Sequence, residues 1–472
     1  MSASEKEGKE ALTSPAHAHD QDLNWWILVA VGIGTFMSAL DGSVVNIILP
    51  VLTRAFRSSV STIEWVVTIY LLITSALVLM GGRWGDLHGH KKLYIPGFVV
   101  FILGSALCGL SPSAWFLVAF RGVQALGATM LFASSGAILT LNFPANRRGQ
   151  VLGLQGTMTY LGLTVGPLLG GWLTDAFGWR SVFYINVPVG LLALALSVCV
   201  IPNDKPQETS RRFDLMGAGL FFVGLVALLI ALNQAHTWGS WPILSLLALA
   251  AVALGVFGYV ESCVKNPMLD LTLFKNRLFS FATISSILNF ICVTSLVFLL
   301  PFYLIEGRGY PPGRAGMILT AQPLVMAVVA PLAGRLSDHI GTRIPGTLGM
   351  AILAAGLFLL SRVGPHEPIW HVILGLGVTG FGTGIFIAPN NSALMGGAPR
   401  RQQGIANAVR QMARNLGNVL GIGIAGAIFN HYLAHDDAHR TITALFHGVG
   451  AGLAAACLLA LIGTLTSAAR GR

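Results

Sequence analysis

The sequence predicts an all-α membrane protein in which two six-helix bundles flank two additional central helices, fourteen spans in total. Three observations lead there. Of the 472 residues, 54% are hydrophobic and only 10% are charged, with a mean hydropathy of +0.71, whereas soluble domains carry about 25% charged residues. The apolar residues fall in runs of about 20, each long enough to cross roughly 30 Å of hydrocarbon as a helix. Glycine is abundant at 56 residues, as in membrane helices whose backbones approach closely. A chain this apolar has no way to cover the surface of a soluble enzyme.

The elements follow in order from apolar runs and their polar or Pro/Gly-rich breaks. Residues 1–24 form a polar tail that is expected to be cytoplasmic. Met1 to Gln21 lacks the basic, apolar and small-residue succession of a cleaved leader, so the first span from Trp25 is expected to act as its own insertion signal. Spans are predicted at 25–49, 63–82, 93–110, 114–141, 149–173 and 182–201, the first bundle (25–201). Pro202 to Arg212 is the most polar internal connection and closes that bundle. Residues 202–278 hold two further spans, 214–233 and 242–262. The second bundle (279–466) comprises 279–304, 315–335, 345–362, 369–395, 404–430 and 443–466, before a short tail at 467–472.

An even number of spans puts both termini on one side. Nineteen Lys/Arg fall in the loops and tails of that side and seven in the opposite loops, so both termini are predicted to be cytoplasmic in a multi-pass cell-membrane protein. The same bias explains the net charge of +10 without a nucleic-acid partner. The five cysteines (Cys108, Cys199, Cys263, Cys292, Cys457) lie in or at the ends of apolar runs without CxxC spacing and read as small core residues. The expected partners are lipid, a small-molecule substrate and protons, with a monomeric carrier and no cofactor or metal. No GxxxxGK[ST], HExxH or nucleophile-elbow pattern is present, so neither ATP-driven transport nor enzyme activity is predicted.

An internal repeat points to transport. Gly82-Arg83-Trp84-Gly85-Asp86-Leu87-His88-Gly89 follows the second span, and Gly334-Arg335-Leu336-Ser337-Asp338-His339-Ile340-Gly341 follows the tenth. Both read G-R-x-small-D-x-x-G and are expected in short cytoplasmic loops, at equivalent positions of two related halves. Paired halves are the architecture of carriers that rock around a central site. Glycines permit tight turns, and a carboxylate there can face a helix N-terminus or an arginine across the half–half boundary. Gly82, Asp86, Gly89, Lys91, Lys92 and Asp338 are therefore candidate parts of a conformational latch. The competing reading is an ordinary turn with a solvated Asp.

Several motifs carry a family resemblance. Leu40-Asp41-Gly42-Ser43-Val44-Val45-Asn46-Ile47-Ile48-Leu49-Pro50, the spaced trio Arg121, Gln124 and Gly127, the run Gly162 to Gly171, and Trp179-Arg180 with Phe183, Asn186 and Pro188 stand in order along the chain. With Gly82, Asp86, Gly89, Lys91 and Lys92 they resemble the major facilitator superfamily, specifically its fourteen-helix drug:proton antiporter branch, from about Trp25 to Thr466. Trp84, Leu87, His90 and Ala125 depart from the family pattern. The resemblance implies proton-coupled export of small hydrophobic compounds, with Gly162, Gly166, Pro167, Gly170 and Gly171 as the antiporter helix motif.

Buried charge in a membrane helix is costly and marks function by default. Asp41 is the one deeply placed carboxylate; Glu64, Asp175, Asp214, Glu261 and Glu306 fall near span ends, where snorkelling is the simpler reading. Asp41 lies about 13 Å from the outer end and Arg121 about 10 Å from the same side, so the two are predicted to form, or alternately break, a proton-coupling pair. A static structural pair is the alternative. Gly162, Gly166 and Gly170 stand at i, i+4 and i+8 on one face, suited to close helix packing. Asn46, Gln124, Asn289, Gln322, Asn390, Asn391, Arg410 and Arg414 are candidate cavity residues, each weighed against local helix-to-helix bonding. An uptake symporter or dedicated metabolite exporter of the same fold is the nearest alternative, and a receptor or channel-like pore is the alternative from another class.

Overall fold

The computed structural model describes residues 15–144, 148–204, 215–234, 239–263, 271–398, 403–434 and 441–470. The described residues form helices joined by short turns: α1 (Pro15–Phe56), α2 (Val60–His88), α3 (His90–Gly109), α4 (Ala114–Asn142), α5 (Arg148–Phe177), α6 (Asn186–Val200), α7 (Leu215–Asn233), α8 (Ser240–Cys263), α9 (Arg277–Pro301), α10 (Pro312–Leu319), α11 (Ala321–Ile340), α12 (Arg343–Ser361), α13 (Ile369–Gly396), α14 (Gln403–Ala434) and α15 (Thr441–Ala468). α10 and α11 make one span, interrupted at Thr320. Pro301 leads α9 into a wide turn, Phe302–Gly307, closed by Arg308 N–H donating to the Tyr303 carbonyl at 2.9 Å.

Among the described residues, twelve helices are long and apolar enough to cross a membrane, against the fourteen expected. α5 and α7 occupy the places of the expected fifth and seventh spans but fall outside those twelve. Seven glycines and polar residues such as Gln155 and Thr164 dilute the apolar character of α5, whereas the sequence of α7 is apolar from Leu215 to Leu232 and several of its side chains lie outside those described. Most of the Pro202–Arg212 connection and parts of both tails lie outside the described residues.

α1 to α6 pack chiefly on one another, and α9 to α15 do likewise. The sets meet where α5 packs on α10 and α11, α2 on α14, and α1 on α9. α7 and α8 pair as a hairpin, with α7 against both α2 and α14. At the end that carries Arg54, a single apolar core joins the sets: Val45, Leu49 and Leu52 share it with Leu296, Leu300 and Phe302. At the opposite end the cores are separate. Ile27, Tyr94, Phe98 and Val151 fill one, and Phe279, Leu394 and Val409 fill the other. The two sets are therefore joined at one end and individually packed at the other.

The repeated G-R-x-small-D-x-x-G segments differ from the loop expectation. α2 runs through His88 and α11 through Ile340, so both motifs are helical until their final glycine. Gly89 (φ +103°) and Gly341 (φ +80°) then break the helices in a conformation that side chains disfavour. Counting apolar residues ended the second span at Gly82, whereas the backbone continues to the first residue able to reverse.

Candidate functional site

The most strongly built polar cluster lies within the first set and gathers residues from five helices. Arg121 Nη1 on α4 donates to Asp41 Oδ2 on α1 at 2.7 Å. Both side chains are almost inaccessible, at 1% and 0% exposure. Gln124, one turn along α4, donates to Asp41 Oδ1 at 2.9 Å and to Ser105 Oγ on α3 at 2.6 Å, while its own Oε1 accepts from Arg121 Nη1 at 2.6 Å. Asn186 at the start of α6 donates a further bond to Asp41 Oδ1 at 2.9 Å. Arg121 Nε donates to the Val66 carbonyl on α2 at 3.1 Å, and the guanidinium lies 4.3 Å from the Tyr70 ring centroid.

Asp41 thus accepts from three side chains, one of them a cation, and these bonds offset the cost of burying a carboxylate in apolar surroundings. The pair is closed in this conformation. Its polarity continues toward the second set through Tyr70, whose hydroxyl is buried without a hydrogen-bond partner and which is near enough to Arg414 on α14 to feel its charge. Ser105 and Tyr70 were not distinguishable in the sequence from ordinary helix residues. Asn186 alone had a signal, as part of a motif downstream of Trp179.

The other predicted residues are distributed more widely. Asn46 donates to Gly42 O on its own helix at 3.0 Å, and Gln124 is engaged in the ion-pair network instead of facing an open cavity. Asn390 donates to Ala282 O at 3.2 Å and accepts from Arg470 Nη2, so it ties α13 to α9 and to the end of α15. Burial there pulls the Arg470 guanidinium down to about 10. Asn289 Oδ1 and Gln322 Nε2 are buried without partners and keep bonding capacity. Asn391, Arg410 and Arg414 are half-buried.

Among the latch candidates, Gly82 is half-buried and Lys92 exposed, and the side chains of Asp86 and Asp338 lie outside those described. Lys91 Nζ donates to Val198 O at 3.2 Å and to Ile201 O. Asp204 accepts from the backbone N–H groups of Lys91, at 3.1 Å, and of His90. These contacts stay within the first set, on the N-terminus of α3, where a carboxylate is favoured by orphan donors and the helix dipole. Asp204→Ala is expected to lower stability by about 1 kcal/mol, as for loss of a helix cap, measured by thermal unfolding in detergent. No span-based reading singles out Asp204, because it sits in a polar connection.

The glycine stripe on α5 works on two faces. Gly162, Gly166 and Gly170 face α1: a Cβ at 162 would come within 2.6 Å of Phe36 O, and one at 166 or 170 would overlap Ser43 Oγ or Val44 Cγ2. Gly171 and Pro167 instead face α10, where a Cβ on Gly171 would overlap Pro312 O and a Cβ on Gly316 would overlap Pro167 O. The stripe therefore closes the bundle and also forms part of the boundary between the two sets.

That boundary is keyed by carboxylates at the Arg54 end. Glu306 pairs with Arg54 at 3.2 Å, Asp175 Oδ2 accepts from Gly313 N–H at 2.7 Å, and Glu64 Oε1 accepts from Asn430 Nδ2 at 3.1 Å. Asp175 remains exposed and Glu306 partly so, but Glu64 is 1% exposed. The snorkelling expectation for Glu64 is corrected. Its nearness to a helix end says little about depth once a second helix covers it.

Comparison with known proteins agrees with this architecture. The profile of the Major Facilitator Superfamily matches residues 31–421 and again 279–471. The riboflavin transporter RibZ of Clostridioides difficile is 34% identical over 423 residues, 89% of this chain and 92% of that protein. The multidrug resistance protein Stp of Mycobacterium tuberculosis is 34% identical over 410 residues, 86% of this chain and 76% of that protein. The crystal structure of a bacterial homologue of the lysosomal transporter Spinster, in an inward-facing conformation, superposes with a TM-score of 0.70 at 14% identity, covering 95% of this chain and 98% of that one. This chain belongs to the Major Facilitator Superfamily.

Proposed function

We propose that the protein is a proton-coupled antiporter that exports small hydrophobic compounds by alternating access. The observation that carries this reading is the buried Asp41–Arg121 pair. An ion pair placed in membrane helices is a group whose protonation changes when the helices around it move. The shared apolar core and carboxylate contacts at the Arg54 end, with separate cores opposite, support a conformer closed on one side. With the Arg54 end assigned to the outside and both termini to the cytoplasm of a cell membrane, that conformer faces inward.

Within this reading α5 and α7 complete fourteen spans. The bundles 25–201 and 279–466 rock about the central site, and 202–278 inserts the α7–α8 hairpin between them. Asn289, Gln322, Asn391, Arg410 and Arg414 supply sparse polar points to an otherwise apolar cavity, which suits variable ligands. The multidrug-resistance relative supports a broad substrate range. A carrier dedicated to one metabolite is the second reading, favoured by the relative named as a riboflavin transporter.

The test is transport in proteoliposomes. An imposed proton gradient is expected to drive uphill movement of a lipophilic cationic dye against the proton flow. Asp41→Asn is expected to reduce that accumulation to the level of empty liposomes while leaving downhill dye exchange measurable. Full gradient-driven accumulation by Asp41→Asn removes the coupling role, and saturable uptake of riboflavin alone from a substrate panel selects the second reading.

A further inference from the structure

Glu64 is a buried membrane carboxylate with no part in the Asp41 cluster. It lies on α2 near the Arg54 end. Its Oε1 accepts from Asn430 on α14 at 3.1 Å, and its Oε2 is buried without a hydrogen-bond partner. α14 comes so close that a Cβ on Gly426 would overlap the carboxyl group, so glycine at that position is what admits Glu64 into the boundary. The lid over Glu64 is thus a helix of the other set, and it is removed whenever the sets part at this end.

The charged and titratable groups on the helices around α2 are otherwise engaged or directed elsewhere. On α1, Arg54 pairs with Glu306 and Asp41 holds Arg121 of α4, and Arg57 in the turn after α1 is exposed. On α3, Cys108 contacts Gln124. On α14, His431 and Tyr432 are exposed, and Arg414 lies four turns away along the helix, by Tyr70. α7 carries no charged residue. No cation contacts Glu64 among the described residues, and its one polar partner is a neutral amide. A carboxylate cannot be held as an anion in such a place without large cost, whereas the neutral acid carries no buried charge and keeps the bond from Asn430.

We propose that Glu64 is a second proton-binding site, one that takes up a proton when the two helix sets close over it and releases it when they part. The proton occupies a carboxyl oxygen in the closed boundary and leaves to water at that mouth as α14 withdraws. The closed form binds one more proton than the open form, so low pH favours closure at this end and high pH favours opening. Glu64 is then a group through which the outer proton concentration biases the equilibrium directly. The assignment of this mouth to the outside rests on the antiport reading; the coupling of Glu64 to closure does not.

Spin labels at Ser61 and Tyr432, near the ends of α2 and α14, report the boundary by pulsed dipolar spectroscopy in the full-length protein. The wild type is expected to shift from short to long distances as pH rises, and Glu64→Gln, which imitates the neutral acid, is expected to hold the short distance at every pH. Infrared spectra are expected to show a protonated-carboxyl C=O band in the wild type that Glu64→Gln removes and Asp41→Asn retains. A Glu64→Gln protein that keeps the wild-type pH dependence, or the carboxyl band, overturns the proposal. If Glu64→Gln abolishes the pH response while proteoliposomes show no proton-driven transport, the second site stands and the antiport reading fails. If only Asp41→Asn abolishes the response, the reverse holds.

Discussion

Arg121→Ala is expected to abolish transport and to destabilise the protein by about 3–5 kcal/mol, the usual cost of removing one partner from a buried ion pair. The residue left behind is the problem. Asp41 would keep bonds from Gln124 and Asn186 but lose the only cation that contacts it among the described residues. Arg121→Lys is expected to fall short as well, because a single ammonium group cannot reproduce the directions from Nη1 to Asp41 and Gln124 and from Nε to Val66 O. Combining Arg121→Ala with Asp41→Asn removes the stranded charge and is expected to recover part of the stability, with transport still absent. Thermal unfolding in detergent and transport in liposomes separate the two effects. Equal stability loss in the single and double variants counts against the buried-charge account.

Gly316→Val is expected to produce the second large effect, through backbone contact instead of charge. Its Cβ would overlap the carbonyl oxygen of Pro167, an atom that no rotamer change can move. Overpacking of this kind costs about 1–3 kcal/mol. Because the contact exists only while α5 and α10 are together, that cost falls on the closed boundary and shifts the equilibrium toward the parted form by roughly 5- to 150-fold. Accessibility of a cysteine introduced at the Arg54 end to a membrane-impermeant reagent measures the shift. Gly219→Ala, where nothing lies within 4 Å of the added carbon, is the matched control and is expected to leave accessibility unchanged.

The reasons these residues were or were not legible in the sequence are physical. Asp41 and Arg121 stood out because a charge inside an apolar run has no cheap explanation, and their similar depth along their helices pointed to contact. The glycine stripe was visible from its spacing, but its second face was not, since Gly171 and Pro167 meet α10 only through tertiary packing. Glu64 was misread because distance along a helix was taken for depth in the protein. Asn186, Ser105 and Tyr70 are residue types that occur throughout such helices, and only the convergence of five helices brings them to Asp41, Gln124 and Arg121 respectively. The extension of α2 and α11 through charged residues shows where hydropathy loses its meaning: beyond the apolar layer, helix length is set by backbone hydrogen bonding and ended by a glycine. Asp204 belongs to the same category, a polar residue whose role is fixed by the helix end it meets.

The α7–α8 hairpin has a consequence for how molecules dissolved in lipid reach the protein. Phe221 and Leu225 of α7, with Phe257 of α8, form one apolar cluster with Leu72 and Ala76 of α2 and Val419 of α14. The hairpin therefore roofs the flank along which α2 and α14 meet, while the opposite flank, where α5 meets α10 and α11, has no such cover among the described residues. The two flanks present different surfaces to the bilayer. A lipophilic molecule diffusing in the membrane plane meets a greasy shutter on one side and a tight glycine seam on the other, so the surrounding lipid is not an isotropic reservoir for this carrier.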